Sequence, residues 1–164
     1  MVLGFTGEHH QKVDGKGRMS VPADFRRVLE AEDPDWSPGQ TPRAMLVYGK
    51  HLKNLLQVYS VQEFASIREN IYAMKRGSKE RAMLQGLILG SSAKLDVDKD
   101  GRVVMPLKHR EKLGLSEGEL VFRGMGEFFE IWKAETYEAE VGSKVDDWLA
   151  EMPDDFDPMS MLDT

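Results

Sequence analysis

The feature that most constrains this chain is that it repeats itself. The run Val13-Asp14-Gly15-Lys16-Gly17-Arg18-Met19-Ser20-Val21-Pro22 returns as Val97-Asp98-Lys99-Asp100-Gly101-Arg102-Val103-Val104-Met105-Pro106, offset by 84 residues. Asp, Gly, Arg and Pro keep identical spacing in both copies, and an arginine follows each proline four residues later, at Arg26 and Arg110.

Each copy reads as turn, strand, helix. Asp-Gly-Lys-Gly is turn chemistry, because glycine reaches positive φ and aspartate bonds its own backbone. Pro22 can open a helix, where its missing N–H would be unpaired anyway. Helical spacing then puts Phe25, Val28 and Leu29 on one face. In the second copy Leu107, Leu113 and Leu115 do the same, and Gly114 predicts the stop. Further on, Leu56-Gln57-Val58-Tyr59 matches Phe129-Glu130-Ile131-Trp132 as a strand, with helices beginning near Val61 and Ala134. Here the offset is 73, so the first copy carries 11 extra residues. They are assigned to a loop insertion over Glu32 to Arg43, which holds Pro34, Pro38, Gly39 and Pro42.

One such unit, about 45 to 60 residues, buries too little apolar surface to stand alone. Two copies covering each other form a pseudo-dimer, and their halves are expected to superpose about an approximate two-fold axis with strands exchanged. The expected organisation is a first repeat over 1–60, a helical linker over 61–90, a second repeat with a C-terminal helix over 91–148, and an acidic tail over 149–164. Within the linker, Phe64, Ile67, Ile71 and Met74, then Leu84, Leu87 and Ile88, predict two helices broken near Arg76-Gly77-Ser78.

The net charge of −6 hides an asymmetry. Residues 135–164 hold ten acids and one base, leaving twenty-one bases and eighteen acids before them. The body is mildly basic, so an acidic total does not argue against a nucleic-acid partner. From Pro153 the chain has no periodicity and reads as disordered or loosely attached. There is no cysteine, hence no disulfide and no thiolate metal site. No apolar run reaches the length of a membrane span, so a soluble cytoplasmic protein is expected.

With these motifs the chain resembles the MraZ family, bacterial transcriptional regulators of the AbrB-like, swapped-hairpin class. The residues that carry the resemblance are Asp14-x-Lys16-Gly17-Arg18 with Pro22 and Arg26, then Asp98-x-x-Gly101-Arg102 with Pro106 and Arg110, and Gly124-x-Gly126 ahead of Ile131-Trp132. The resemblance covers Gly4 to about Trp148. It implies an α+β, β-rich fold of two tandem swapped-hairpin AbrB-like repeats forming an intertwined pseudo-dimer. It also implies closure into a ring and binding to double-stranded DNA at the promoter of the division and cell-wall gene cluster, on direct repeats.

Arginine at a tight turn can pair bidentately with guanine, and lysine can serve phosphate or guanine. An intra-turn Asp14–Arg18 ion pair that merely holds the hairpin is the competing reading. With the resemblance, Lys16, Gly17, Arg18 and Arg26 are taken as the DNA-binding residues. Arg26 could equally be a solvated helix charge. Asp14, Asp98 and Arg102 are taken as structural, because a carboxylate repels phosphate and Asp96, Asp98 and Asp100 surround Arg102.

His9 and His10 would point to opposite strand faces, and His51 and His109 are far off in sequence, so surface histidines are expected rather than a metal site. No catalytic constellation stands out. The reading is a repressor-like regulator, nucleoid-associated, with no enzyme activity, cofactor, small-molecule substrate or membrane partner. The alternative is a non-DNA scaffold or antitoxin-like interaction protein on the same fold.

Overall fold

The structure is a computed structural model that describes residues 2–163. The chain divides into two compact units, one ending at Ala134 and one beginning at Glu135.

In the first unit, β1 (Glu8–Val13) turns into β2 (Arg18–Ser20), and α1 (Ala23–Ala31) follows Pro22. Then come β3 (Arg43–Val47), β4 (Leu55–Ser60), α2 (Val61–Tyr72) and α3 (Lys79–Leu87). The second half repeats the plan with β5 (Ser92–Asp96), β6 (Arg102–Val104), α4 (Leu107–Leu113), β7 (Gly118–Gly124) and β8 (Phe128–Lys133).

The strands build a six-stranded antiparallel sheet in the order β1-β7-β8-β4-β3-β5 and a two-stranded ribbon, β2 with β6. Exchanging β1 with β5, β3 with β7 and β4 with β8 reverses this order and leaves it otherwise unchanged. The register obeys the same symmetry. In the ribbon Met19 faces Val103, its own counterpart at the offset of 84. At the sheet centre Gln57 faces Glu130, its counterpart at the offset of 73. A pseudo-two-fold axis therefore passes through both pairs. Each half also gives its first strand to the other, since β1 pairs β7 and β5 pairs β3. In these edge pairings Lys12 lies opposite Glu119 and Asp96 opposite Arg43. The two positions are equivalent and carry opposite charges with their signs reversed between the copies.

The core lies between ribbon and sheet. Met19 and Val103 from the ribbon join Leu46, Leu56, Val58, Phe122, Phe129 and Ile131 from the sheet. Burying these side chains is the main drive to fold, roughly 1.5–3 kcal/mol for each large one. Phe5, Phe25 and Phe129 meet edge-on or tilted, with centroids 4.8–5.3 Å apart.

Local sequence explains the helices. Phe25, Val28 and Leu29 are the buried face of α1, as their spacing predicts. Ser60 caps α2 by accepting from the Glu63 N–H at 3.1 Å, and Ser78 caps α3 by accepting from Arg81 N–H at 3.2 Å. Gly77, at φ 82, lies in the break between them. Gly114 ends α4 in the left-handed conformation. Leu107 departs from expectation: it is 48% exposed, and α4 buries His109, Arg110 and Leu113 instead. The histidines differ too. His9 rests edge-on against Phe25, and His109 is buried beside Tyr48, where desolvation first, then Lys108 and Lys112, holds its pKa below the usual value.

The Glu32–Arg43 insertion has no helix or strand up to Arg43, yet it is closed by a clasp. Buried Asp33 accepts from Arg43 Nε at 3.1 Å, Nη2 at 2.7 Å and the backbone N–H at 3.0 Å. These bonds, the side-chain ones foremost, lower the Asp33 pKa from 3.8 to about 2. The folded value lies below the unfolded one, so the clasp stabilises above pH 4 and loses its effect as the pH falls from about 4 to 2. The shift corresponds to about 2 kcal/mol. Asp33→Asn is expected to lose about that much at neutral pH, and chemical denaturation at pH 7 and pH 3 should show the deficit shrinking in acid. A pH-independent deficit would assign the cost to something other than the ion pair.

From Ala134 the chain is a helical run: α5 (Ala134–Tyr137), a π-helical turn over Glu138–Gly142 and α6 (Ser143–Ala150). The segment from Pro153, expected to be disordered or loosely attached, carries a 3₁₀ turn over Pro158–Asp163. Trp148 meets Phe156 edge-on at 5.5 Å.

Candidate nucleic-acid interface

The two repeated motifs form the ends of the β2–β6 ribbon. Side chains alternate along a strand. With Met19 and Val103 turned into the core, Arg18, Ser20, Arg102 and Val104 occupy the outer face. Arg18 is paired with Val104 and Arg102 with Ser20. The two arginines are therefore diagonal neighbours, with side-chain origins roughly 7–8 Å apart.

Each turn is built by its aspartate. Asp14 accepts from the N–H groups of Lys16 and Arg18, both at 2.9 Å. Asp98 accepts from Asp100 at 2.8 Å and Arg102 at 2.9 Å. The Gly17 N–H returns to Asp14 O at 2.9 Å and the Gly101 N–H to Asp98 O at 3.0 Å. Both aspartates have lowered pKa values, caused first by the backbone N–H of Arg18 and of Arg102 respectively. The carboxylates stay charged and hold the backbone.

Gly17 and Gly101 have φ 85 and 77, a conformation that other residues rarely adopt. The two turns are also linked across the axis. The Met105 N–H donates to Gly17 O at 2.7 Å, and the Val21 N–H to Gly101 O at 2.9 Å.

The arginines after the prolines lie beside the turn glycines, each against the turn of the other half. Arg110 is only 7% exposed. It donates to Met105 O at 2.9 Å, to Gly15 O at 3.5 Å and to Ser116 O, and its guanidinium lies beside Gly17. Arg26, its counterpart, lies against Gly101. It is half-buried, and its guanidinium makes no hydrogen bond or ion pair among the described residues. Spacing did not reveal that Arg110 is buried, because the partner that contributes Gly15 O is 95 residues away.

The reading ends of the two turns differ. Asp14 holds Arg18 through Nε at 2.6 Å. The two terminal Arg18 nitrogens make no hydrogen bond among the described residues, and the side chain is 45% exposed. Lys16 beside it is exposed. Arg102 instead has Nη2 3.4 Å from Asp100, while its Nε is buried without a hydrogen bond, 3.7 Å from Asp98. The first turn thus presents a free guanidinium edge and a lysine, and the second a guanidinium partly occupied by an acid. Among the described residues no group of three or more metal-ligating side chains comes together, and no helix is long and apolar enough to cross a membrane.

The sequence matches known proteins over most of its length. The family model described as "MraZ protein, putative antitoxin-like" matches residues 5–86 and 88–144. A protein of Ruegeria sp. (strain TM1040) named "Transcriptional regulator MraZ" is 45% identical over 97% of this chain and 95% of its own length. One of the same name from Ruegeria pomeroyi is 45% identical over 99% and 97%. Another, from Stenotrophomonas maltophilia, is 29% identical over 87% and 91%. With both motifs, the sheet and the ribbon inside the matched residues, the chain belongs to the MraZ family of transcriptional regulators.

Proposed function

We propose that the chain is a sequence-specific DNA-binding regulator, mostly a repressor, that acts as a ring oligomer on direct repeats at the promoter of a division and cell-wall gene cluster. The observation that carries this reading is Arg18: its Nε is held by Asp14, which leaves the terminal nitrogen pair facing outward on the ribbon. A bidentate pair with guanine O6 and N7 uses such an edge, and the major groove admits a two-stranded β-ribbon. Lys16, two residues before Arg18, serves phosphate, and Gly17 lets the backbone come close. Arg26, beside Gly101 and with a guanidinium that makes no hydrogen bond or ion pair among the described residues, serves a flanking phosphate. Asp14 and Asp98 act as turn builders, and Arg102 as a structural member of the second turn. The fold is assigned to the swapped-hairpin, AbrB-like class because each half lends its first strand to the other. The organisation is two repeats, 1–60 and 91–148, joined by a helical linker and followed by an acidic tail. No catalysis and no cofactor are assigned to the chain, and its place is the nucleoid.

One turn with one arginine discriminates by about 1–3 kcal/mol, too little for a regulator. Several turns on a closed ring act together through high effective concentration. Turns laid along one face of a duplex need repeats spaced about 10–10.5 bp. DNase footprinting of the DNA upstream of the chain's own gene is expected to show that period, with guanines dominating the protected bases. Uniform protection without a period would overturn the direct-repeat reading. Lys16→Ala is expected to weaken binding and to lower the slope of log K against log salt by about one contact per turn engaged. An unchanged slope would remove Lys16 from the phosphate contacts.

A further inference from the structure

The α2–α3 hairpin is poorly covered in the single chain. α3 buries none of its nine residues, and Tyr72, Met83 and Leu84 are exposed large apolar side chains. A helix this short is marginal in water without an apolar surface against it. Its surroundings are basic: from Arg68 to Arg81 there are five bases and two acids, and Lys75, Arg76 and Lys79 are exposed at the tip.

The C-terminal unit offers the complementary surface. Val145, Trp148 and Leu149 fall on one helical stripe of α6 and are all exposed. From Val145 to Asp163 there are seven acids and no base. Phe156 packs edge-on against Trp148 and so holds the aromatic stripe in place. This segment lies past residue 144, where the match to the family model ends.

We propose that the acidic C-terminal segment of one copy docks on the α2–α3 hairpin of a second copy. The Trp148–Leu149 stripe covers Met83 and Leu84, and the acids around it face Lys75, Arg76 and Lys79. The contact is a helix laid on an apolar face with a charged rim, a common recognition mode. The reading turns match the segment less well. They offer Lys16 and Arg18 against Asp14, and among the outer ribbon residues the apolar one is Val104. The hairpin provides both charge and apolar surface. This inference rests on the self-assembly proposed above and supplies a contact between neighbours in it.

The test uses the natural absence of cysteine. A full-length Met83→Cys chain and a differently tagged full-length Leu149→Cys chain are co-expressed, purified together and oxidised. Both positions are exposed, at 51% and 44%, so folding should survive. The mixed disulfide is expected to exceed both like-with-like disulfides. Adding Lys75→Glu, Arg76→Glu and Lys79→Glu to the Met83→Cys chain should reduce it at least about tenfold. Asp154→Lys with Asp155→Lys in the partner chain should recover part of the loss. No excess of mixed disulfide in a sample that light scattering shows to be assembled would overturn this inference and leave the ring reading standing. A disulfide formed only inside one chain carrying both cysteines would overturn it too. A monomeric sample would overturn both.

Discussion

Arg18→Ala is expected to reduce operator binding to the level of random DNA, a loss on the order of a thousandfold, while assembly and folding stay intact. The selectivity follows from where the side chain goes. Arg18 leaves the protein surface on the outer face of the ribbon, and among the described residues the one partner of its guanidinium is Asp14. An exposed ion pair contributes little to stability, so its loss should leave the melting temperature unchanged. Arg102→Ala removes a guanidinium that already leans on Asp100 and whose Nε is enclosed. Its larger effect is expected on the turn and on assembly. Fluorescence anisotropy with operator and scrambled duplexes, beside light scattering on the same samples, separates these effects. Normal operator binding by Arg18→Ala together with lost binding by Arg102→Ala would mean that the second repeat, not the first, is the reading head.

Gly17→Ala should be the most damaging single-carbon addition in the ribbon. The position is at φ 85, and a Cβ there would overlap the Met105 carbonyl oxygen. That carbonyl already receives the Arg110 Nε, and the Met105 N–H is bound to Gly17 O. The clash therefore lies in the link between the two halves, and the neighbouring group is backbone, which cannot swing away. Left-handed strain alone is worth about 1–2 kcal/mol. With the overlap, a loss of at least about 3 kcal/mol and a fall in Tm of roughly 10 °C are expected in calorimetry. A Gly17→Ala chain melting with the parent would show that the turn is softer than its contacts imply. Gly39→Ala is the contrasting control: φ is also positive, but a Cβ there meets nothing within 4 Å, so its cost should be limited to backbone strain.

The parts of the fold legible in the sequence were those carried by short-range chemistry. Pro22 and Pro106 announced their helices, Gly114 its stop, and the paired Asp-Gly turns the ends of the ribbon. The repeat did more than local signals could. It predicted two halves related by an approximate two-fold axis with strands exchanged, while the pairs on that axis, Met19 with Val103 and Gln57 with Glu130, come from the strand pairing. What could not be read depends on partners far along the chain. Arg110, marked in the sequence only as the counterpart of Arg26, is buried because Gly15 and Ser116 bring carbonyls to it. His109 was expected at the surface and lies beside Tyr48. The Asp33–Arg43 clasp was hidden in a stretch whose prolines and glycine indicated only a loop. At the candidate interface, spacing alone could not distinguish an intra-turn ion pair from a DNA contact. The geometry makes the two compatible, since Asp14 occupies Nε of Arg18 and leaves its other edge free.

The most direct measurement of the central claim is the binding of the full-length chain to the DNA upstream of its own gene, against a scrambled duplex, across a salt series. The expected result is a preference of at least about a thousandfold, with log K falling linearly in log salt at a slope that reflects several phosphate contacts. Equal affinity for both duplexes at every salt concentration would contradict sequence-specific reading by the Lys16-Gly17-Arg18 turn.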